Sequence, residues 1–241
     1  MKLEIGYKHG FEIRKEYCIA NCKESFSILY LSDFHFNRFS ASTIQKIIKA
    51  IRELNPDIIL LGGDYSDSTK GLSHLKTLMG GIAERKNIFA IAGNHDYSLG
   101  IDKIKKIITD NNANWIEQKS VQFELRGNKI RVDGNISASD DDGNADFSIL
   151  CLHKPINIAH CKNHYKLAFA GHLHGSQFVF WQTAKGLYPG KLFYKWNILE
   201  SSANACRYFI SKGLGDTLPI RYNCKKDIIF VTVASAIHPI N

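Results

Sequence analysis

Residues 58–67 read IILLGGDYSD: four apolar residues in a row, two glycines, then acids at Asp64 and Asp67. A short unbroken apolar run ended by a glycine turn is the pattern of a strand buried on both faces. Leu72, Leu75, Leu78, Met79 and Ile82 follow at the spacing of one helix face. The same unit recurs on either side. Upstream, the apolar run 28–31 leads into Asp33 and His35, and Ile44, Ile47, Ile48, Ile51 and Leu54 mark a helix that Ser40 or Ser42 caps and Pro56 closes. Downstream, the run 88–92 leads into Gly93-Asn94-His95-Asp96, and Ile101, Ile104, Ile107 and Ile108 mark the next helix. Strands joined through helices pair in parallel, and such open sheets bind ligands beyond the carboxyl ends of their strands. The three polar loops are therefore expected to converge on one rim.

After Trp115 the character changes. Runs at 121–125, 129–132, 147–152, 167–170, 177–181, 207–210 and 228–233 read as short strands, which predicts a two-layer β-sheet core flanked by helices. With 241 residues and no linker-like break, the chain is expected to form a single domain over 1–241. Hydrophobic residues at 44% and charged residues at 22% are ordinary globular values, so a folded chain is expected rather than a disordered one.

The net charge is +8, from 31 basic and 23 acidic residues. Such a surface attracts phosphates, nucleic acid or acidic lipid headgroups, or is simply solvated, and the scattered charges single out no one partner. No apolar stretch is long enough to span a bilayer, and the charged start MKLEIGYKHGFEIRKEY lacks the apolar core of a signal peptide. A soluble, cytoplasmic protein is expected. Cys18, Cys22, Cys151, Cys161, Cys206 and Cys224 then read as reduced thiols rather than disulfides.

The polar clusters form an ordered series: D-F-H at 33–35, G-G-D at 62–64, G-N-H-D at 93–96, L-C-L-H at 150–153 and G-H-L-H-G at 171–175. Singly, each is weak, because an Asp after a strand is commonly a turn residue and a lone His commonly structural. Together they resemble the five blocks of the calcineurin-like metallophosphoesterases, in that family's order and across most of the chain. The resemblance implies an α/β (α+β) fold, a four-layer αββα sandwich of two β-sheets flanked by helices. It also implies two divalent metal ions, manganese, iron or zinc, with manganese favoured.

By the same resemblance Asp64 bridges the two ions, Asp33, His35 and His174 complete the ligands of the first ion, and Asn94, His153 and His172 complete those of the second. A carboxylate can bridge two cations while imidazole and amide ligands add no further negative charge. His95 matches the family's non-ligand histidine, which stabilises the transition state or protonates the leaving oxygen. Its alternative is a structural histidine beside the ligands. Asp67 and Asp96 match acidic positions that orient loops or ligand histidines. His74, His160, His164 and His238 fall outside every block and are assigned to ordinary positions. The implied reaction is hydrolysis of a phosphodiester or pyrophosphate by attack of a metal-bridged hydroxide. A nuclease or cyclic-nucleotide phosphodiesterase is the alternative within enzymes, and a non-catalytic interaction module on the same fold is the alternative outside them.

Further on, Gly213-Leu214-Gly215 and Pro219-Ile220-Arg221 look like the G-L-G and P-I-R segments of a bacterial branch. That branch includes membrane-associated phosphodiesterases and UDP-2,3-diacylglucosamine pyrophosphatases. Arg221 is a candidate contact for substrate phosphate, with packing or a structural ion pair as its alternative. Residues 178–196 (FVFWQTAKGLYPGKLFYKW) mix aromatics with Lys185, Lys191 and Lys195. Such a segment either presents the site to a lipid-linked substrate through peripheral membrane contact or folds against the β core. A nucleotide-sugar substrate is the companion expectation. Two departures from the branch stand out: Ser176 replaces a glycine after the last block, and the stretch before His153 is short and acidic at Asp140, Asp141 and Asp142.

Overall fold

The structure, a computed structural model, describes residues 2–6, 10–136, 144–161 and 165–236. Asp140, Asp141, Asp142, His164 and His238 lie outside the described residues. The first half contains β1 (Leu3–Ile5), β2 (Phe11–Ala20), β3 (Phe26–Leu31), α1 (Ala41–Leu54), β4 (Ile58–Leu61), α2 (Thr69–Gly81), β5 (Ile88–Ala90), α3 (Asn94–Leu99), α4 (Ile101–Thr109) and β6 (Asn114–Trp115). The second half contains β7 (Lys119–Leu125), β8 (Asn128–Gly134), β9 (Phe147–Cys151), β10 (Leu167–Ala170), β11 (Val179–Thr183), β12 (Gly186–Pro189), β13 (Glu200–Ala203), β14 (Cys206–Ile210), β15 (Ile220–Tyr222) and β16 (Lys226–Ser235).

Two six-stranded sheets result, ordered β2-β16-β3-β4-β5-β6 and β13-β14-β10-β9-β8-β7. Strands β3 to β6 run parallel, as the helical crossovers between them require. In the second sheet β8, β9, β10 and β14 are parallel too. Strand β16 comes back between β2 and β3, parallel to the first and antiparallel to the second.

Alternation along the strands explains the unbroken apolar runs. Ile28, Tyr30, Ile58 and Leu60 face the second sheet and pack on Ile130, Val132, Phe147, Ile149 and Phe169. Their neighbours Leu29, Leu31, Ile59 and Leu61 face α1, α2 and α4 through Ile44, Ile47, Leu75, Leu78 and Ile104. The expected mixed α/β fold with helix-flanked sheets forms, and its flanking is unequal. Among the described residues, the outer face of the second sheet is closed by the 3-10 turn Ile158–His160 and loop residues such as Tyr165 and Ile198.

The helix expected from Ile101 to Ile108 forms as α4, and a short α3 that no periodicity marked precedes it; Gly100, in a left-handed conformation (φ 110), ends α3 and starts α4. One local reading needs adjustment. The strand expected from Gln177 starts at Val179, because Gln177 turns left-handed (φ 57) and lends its amide to another loop. Its Oε1 accepts the Thr217 and Leu218 N–H groups, and its Nε2 donates to Leu218 O and Ile220 O. All six cysteines are free thiols, as read from the sequence. No helix among the described residues is long and apolar enough to cross a membrane.

Candidate metal centre

Asp33, Asp64 and Asn94 follow β3, β4 and β5 at the carboxyl edge of the first sheet, while His153, His172 and His174 follow β9 and β10 of the second. The two edges face each other and bring all seven sequence-marked residues together. Donor atoms of Asp33, His35 and His174 lie within 4.8 Å of one another, as do those of Asp64, His153 and His172. Asp64 stands between the groups, with Oδ2 3.7 Å from His35 Nε2 and 3.3 Å from His153 Nε2. Asn94 Oδ1 lies 3.0 Å from His153 Nε2, and His174 Nε2 lies 3.8 Å from Asp33 Oδ1.

The backbone is bent to achieve this. Asp33, His35, Asp64, His172 and His174 all have positive φ, between 42 and 72 degrees. Each such residue costs about 1 kcal/mol or more, a cost that persists only where surrounding structure enforces it. Enforcement comes from backbone bonds between loops: Asp33 N–H to Gly63 O (3.0 Å), His35 N–H to Asp64 O (2.9 Å), and the G-L-G segment's Leu214 and Gly215 N–H groups to Ser32 O and Asp33 O. Glycine precedes Asn94 and His172 for a steric reason. A Cβ on Gly93 would lie 2.1 Å from Asp64 Oδ1, and one on Gly171 would lie 2.1 Å from Asp33 Oδ2.

Two further acids organise the loops. Buried Asp96 accepts the N–H groups of Gly93 (2.7 Å), Asp64 (2.8 Å) and Tyr65 (2.9 Å), joining the second and third loops; burial pushes its carboxyl up to about 6. Asp67 Oδ1 lies 2.6 Å from His35 Nδ1 and 3.4 Å from His95 Nδ1. His95 is exposed at the mouth of the site, edge-on to His35, and its backbone N–H donates to Asp64 Oδ1 (2.8 Å).

The donor set fits divalent cations on one decisive observation. With Nδ1 committed to Asp67, buried His35 Nε2 has no hydrogen-bond partner and faces the carboxylate of Asp64. An unpartnered ring nitrogen and a carboxylate opposed in a buried site leave a place for a cation between them. Protonation tells the same story. Burial opposes charge on His153, yet its bond to Asp64 and the charges of Asp33 and Asp64 push it up to about 9, while Asp64 is held well below the usual carboxylate range. A cation bound there would displace that proton. His172 is pushed down to about 4 by burial and by the charges of His153 and Lys154, which leaves its imidazole free to ligate.

Two clefts open from the centre, on either side of α3. One of about 320 Å³ is lined by His35, Asp67, His95 and Thr217; the other, of about 380 Å³, by Asn94, Tyr97, Glu117, Asn135, His153 and Lys154. Glu117, Asn135 and Lys154 sit outside every sequence motif. Their only sequence-level signal is a place just after a strand or beside a motif residue, which is too common to single them out.

For Arg221 the structure shows the ion-pair alternative and not the substrate contact. It is buried behind His174 rather than open to substrate, with Nε 2.6 Å from Asp216 Oδ1 and its terminal nitrogens donating to Lys212 O (3.0 Å), Gly215 O (2.7 Å) and Cys224 O (3.2 Å). Lys226 Nζ, 2.6 Å from the same Asp216, completes a buried ion cluster. Arg221→Leu would strip Asp216 of one partner, so we expect a loss of about 3 kcal/mol. Thermal melting should detect this as a fall of about 6–12 °C, whereas an unchanged melting point would show that the cluster does not support the fold. Of the other histidines, His74 is half-buried on α2 and His160 is exposed on the 3-10 turn.

Comparison with known proteins decides the family. The model of the calcineurin-like phosphoesterases matches residues 26–176, more than half of the chain and all five motif blocks. The chain belongs to the calcineurin-like phosphoesterase family. It is a metal-dependent phosphoester hydrolase of a family that works with dinuclear metal centres. Among curated relatives, this phosphoesterase is 28% identical to phosphodiesterase YaeI of Escherichia coli K12 over 218 residues, 84% of this chain and 80% of the relative. It is 27% identical to the uncharacterized metallophosphoesterase YkuE of Bacillus subtilis over 237 residues, 88% of this chain and 80% of that one. Its fold is shared with a 5'-nucleotidase precursor from Thermus thermophilus, at a TM-score of 0.51 and 10% identity over 88% of this chain and 54% of that one.

Proposed function

We propose that this phosphoesterase hydrolyses a phosphodiester or pyrophosphate bond at a dinuclear centre in which Asp64 bridges, Asp33, His35 and His174 hold one ion, and Asn94, His153 and His172 hold the other. The observation that carries the reading is the single Asp64 carboxylate set between two ligand groups, faced by the unpartnered Nε2 of His35. When bound, a pair of divalent cations, manganese favoured, supplies a water acidified to hydroxide near neutral pH and neutralises charge on the phosphoryl group.

The chain's own residues do the rest. Asp67 fixes the tautomer of His35 so that Nε2 keeps its lone pair, and the same oxygen orients His95. His95, at the mouth, donates a proton to the departing oxygen. Lys154, exposed beside His153, adds positive charge to the wall of the larger cleft, where it attracts an anionic substituent.

A second observation favours a lipid-linked substrate, with peripheral membrane contact from the cytoplasmic side. Phe180, Trp181, Leu192, Phe193 and Tyr194 are exposed, while Leu187, Val179 and Trp196 of the same segment pack inward. Between Asp146 and Glu200 the chain carries six lysines and no carboxylate, which suits an anionic headgroup layer. One substrate panel tests both readings. Metal-stripped protein should be inert and manganese should restore cleavage of bis(p-nitrophenyl) phosphate, with lipid-linked pyrophosphates turned over faster than nucleotide diesters or phosphomonoesters. Full activity of stripped protein would sink the chemistry. Preference for DNA or cyclic nucleotides would replace the lipid reading with a nuclease or cyclic-nucleotide phosphodiesterase.

A further inference from the structure

The residues assigned to the second metal come from both sheets, so something must set the spacing between the two strand ends that carry them. Asn135 lies one residue beyond β8 of the second sheet, in left-handed backbone (φ 50) that asparagine tolerates. Its main-chain N–H extends the ladder to Cys151 O (2.9 Å). Its side-chain Oδ1 accepts the N–H of His153 (2.8 Å). Its Nδ2 donates to Ala92 O (2.9 Å) and to Glu117 Oε2 (2.8 Å), beyond the carboxyl edge of the first sheet. Glu117 Oε2 in turn accepts the Ala92 N–H (2.8 Å).

One carboxamide thus joins the peptide of His153 to the peptide two residues before Asn94, using both of its hydrogens and its oxygen. The atoms it holds in place are His153 Nε2 and Asn94 Oδ1, 3.0 Å apart. Ligand spacing at a metal site tolerates only a few tenths of an ångström, and the two sheets otherwise meet here through individual bonds such as Tyr30 Oη to Leu152 O (2.9 Å) and His153 Nδ1 to Gly62 O (2.9 Å). We infer that Asn135, anchored by Glu117, is a positioning residue that holds His153 at the distance from Asn94 needed to bind the second divalent cation. The inference rests on the dinuclear reading of the site.

The test is titration of the metal-free full chain with Mn²⁺, followed by calorimetry for stoichiometry and by electron paramagnetic resonance for the signal of a coupled ion pair. Asn135→Asp keeps the size and the acceptor but loses both donors and sets a carboxylate against Glu117. It should bind one ion as the wild type does and the second about 10–100-fold more weakly, with loss of the coupled signal. Asn135→Ala, which removes the bonds without adding charge, should behave as Asn135→Asp does and serves if the charged variant fails to fold. Unchanged binding of both ions in Asn135→Asp and Asn135→Ala would overturn the inference. A wild type that binds fewer than two ions would overturn the dinuclear reading and the inference with it.

Discussion

Asp64→Ala should lower kcat/KM on bis(p-nitrophenyl) phosphate by at least about 1000-fold, or about 4 kcal/mol of transition-state stabilisation. The size of the effect follows from what one carboxylate does. Asp64 lies within 3.7 Å of a nitrogen from each ligand group, and its other oxygen accepts the His95 N–H at 2.8 Å. Its removal therefore disconnects two cation sites from each other and loosens the histidine at the mouth. Asp64→Asn separates the two roles, since an amide oxygen still accepts the N–H but brings no charge to bridge cations. Loss of activity in both variants locates the effect in the charge. Retained activity in either at wild-type manganese would show that Asp64 is not the bridge.

The second large effect is expected at His95. Its Asn variant should lose about 100–10,000-fold in kcat, with KM and bound manganese little changed. An acid matters most when the departing oxygen is basic. The loss should therefore be greatest on an alkyl diester and small on a nitrophenyl ester, whose leaving group departs without a proton. Equal losses on both esters would make His95 a positioning group or a stabiliser of phosphoryl charge. Loss of a bound ion would make it a ligand, an outcome its place near His35 and Asp64 leaves open to measurement.

Much of this was legible in the sequence because burial and function left periodic marks. The run at 58–61 must be apolar at every position, since Ile58 and Leu60 face the other sheet while Ile59 and Leu61 face the helices. The polar residues that follow such runs sit at the carboxyl edge by topology alone, which is why the sequence groups Asp33, Asp64 and Asn94. Arg221 stayed open between substrate contact and a structural ion pair because a sequence shows a charge but not which way it faces. Its fork is used up by Asp216 and three backbone carbonyls. Asn135 and Glu117 were invisible for a related reason: they act through single bonds between distant strands, and no periodicity marks a tertiary contact. The short α3 left no periodic mark, because its six residues, 94–99, carry one apolar aliphatic, Leu99, whereas the isoleucines beyond Gly100 marked α4.

The place of β16 has a consequence for how the protein comes into being. Of the described strands it is the last to be synthesised, yet it lies inside the first sheet, paired with β2 on one side and β3 on the other. Until it emerges from the ribosome, β3 keeps a bare edge, and the ten residues of β2 have no strand to pair with in that sheet. Such a nascent chain exposes an unprotected β edge of the kind that invites aggregation. The loop bearing Asp33 is also finished late, because the Leu214 and Gly215 contacts that brace it come from just before β16. The architecture thus leaves the bracing of the Asp33 loop until nearly all of the described chain has been made.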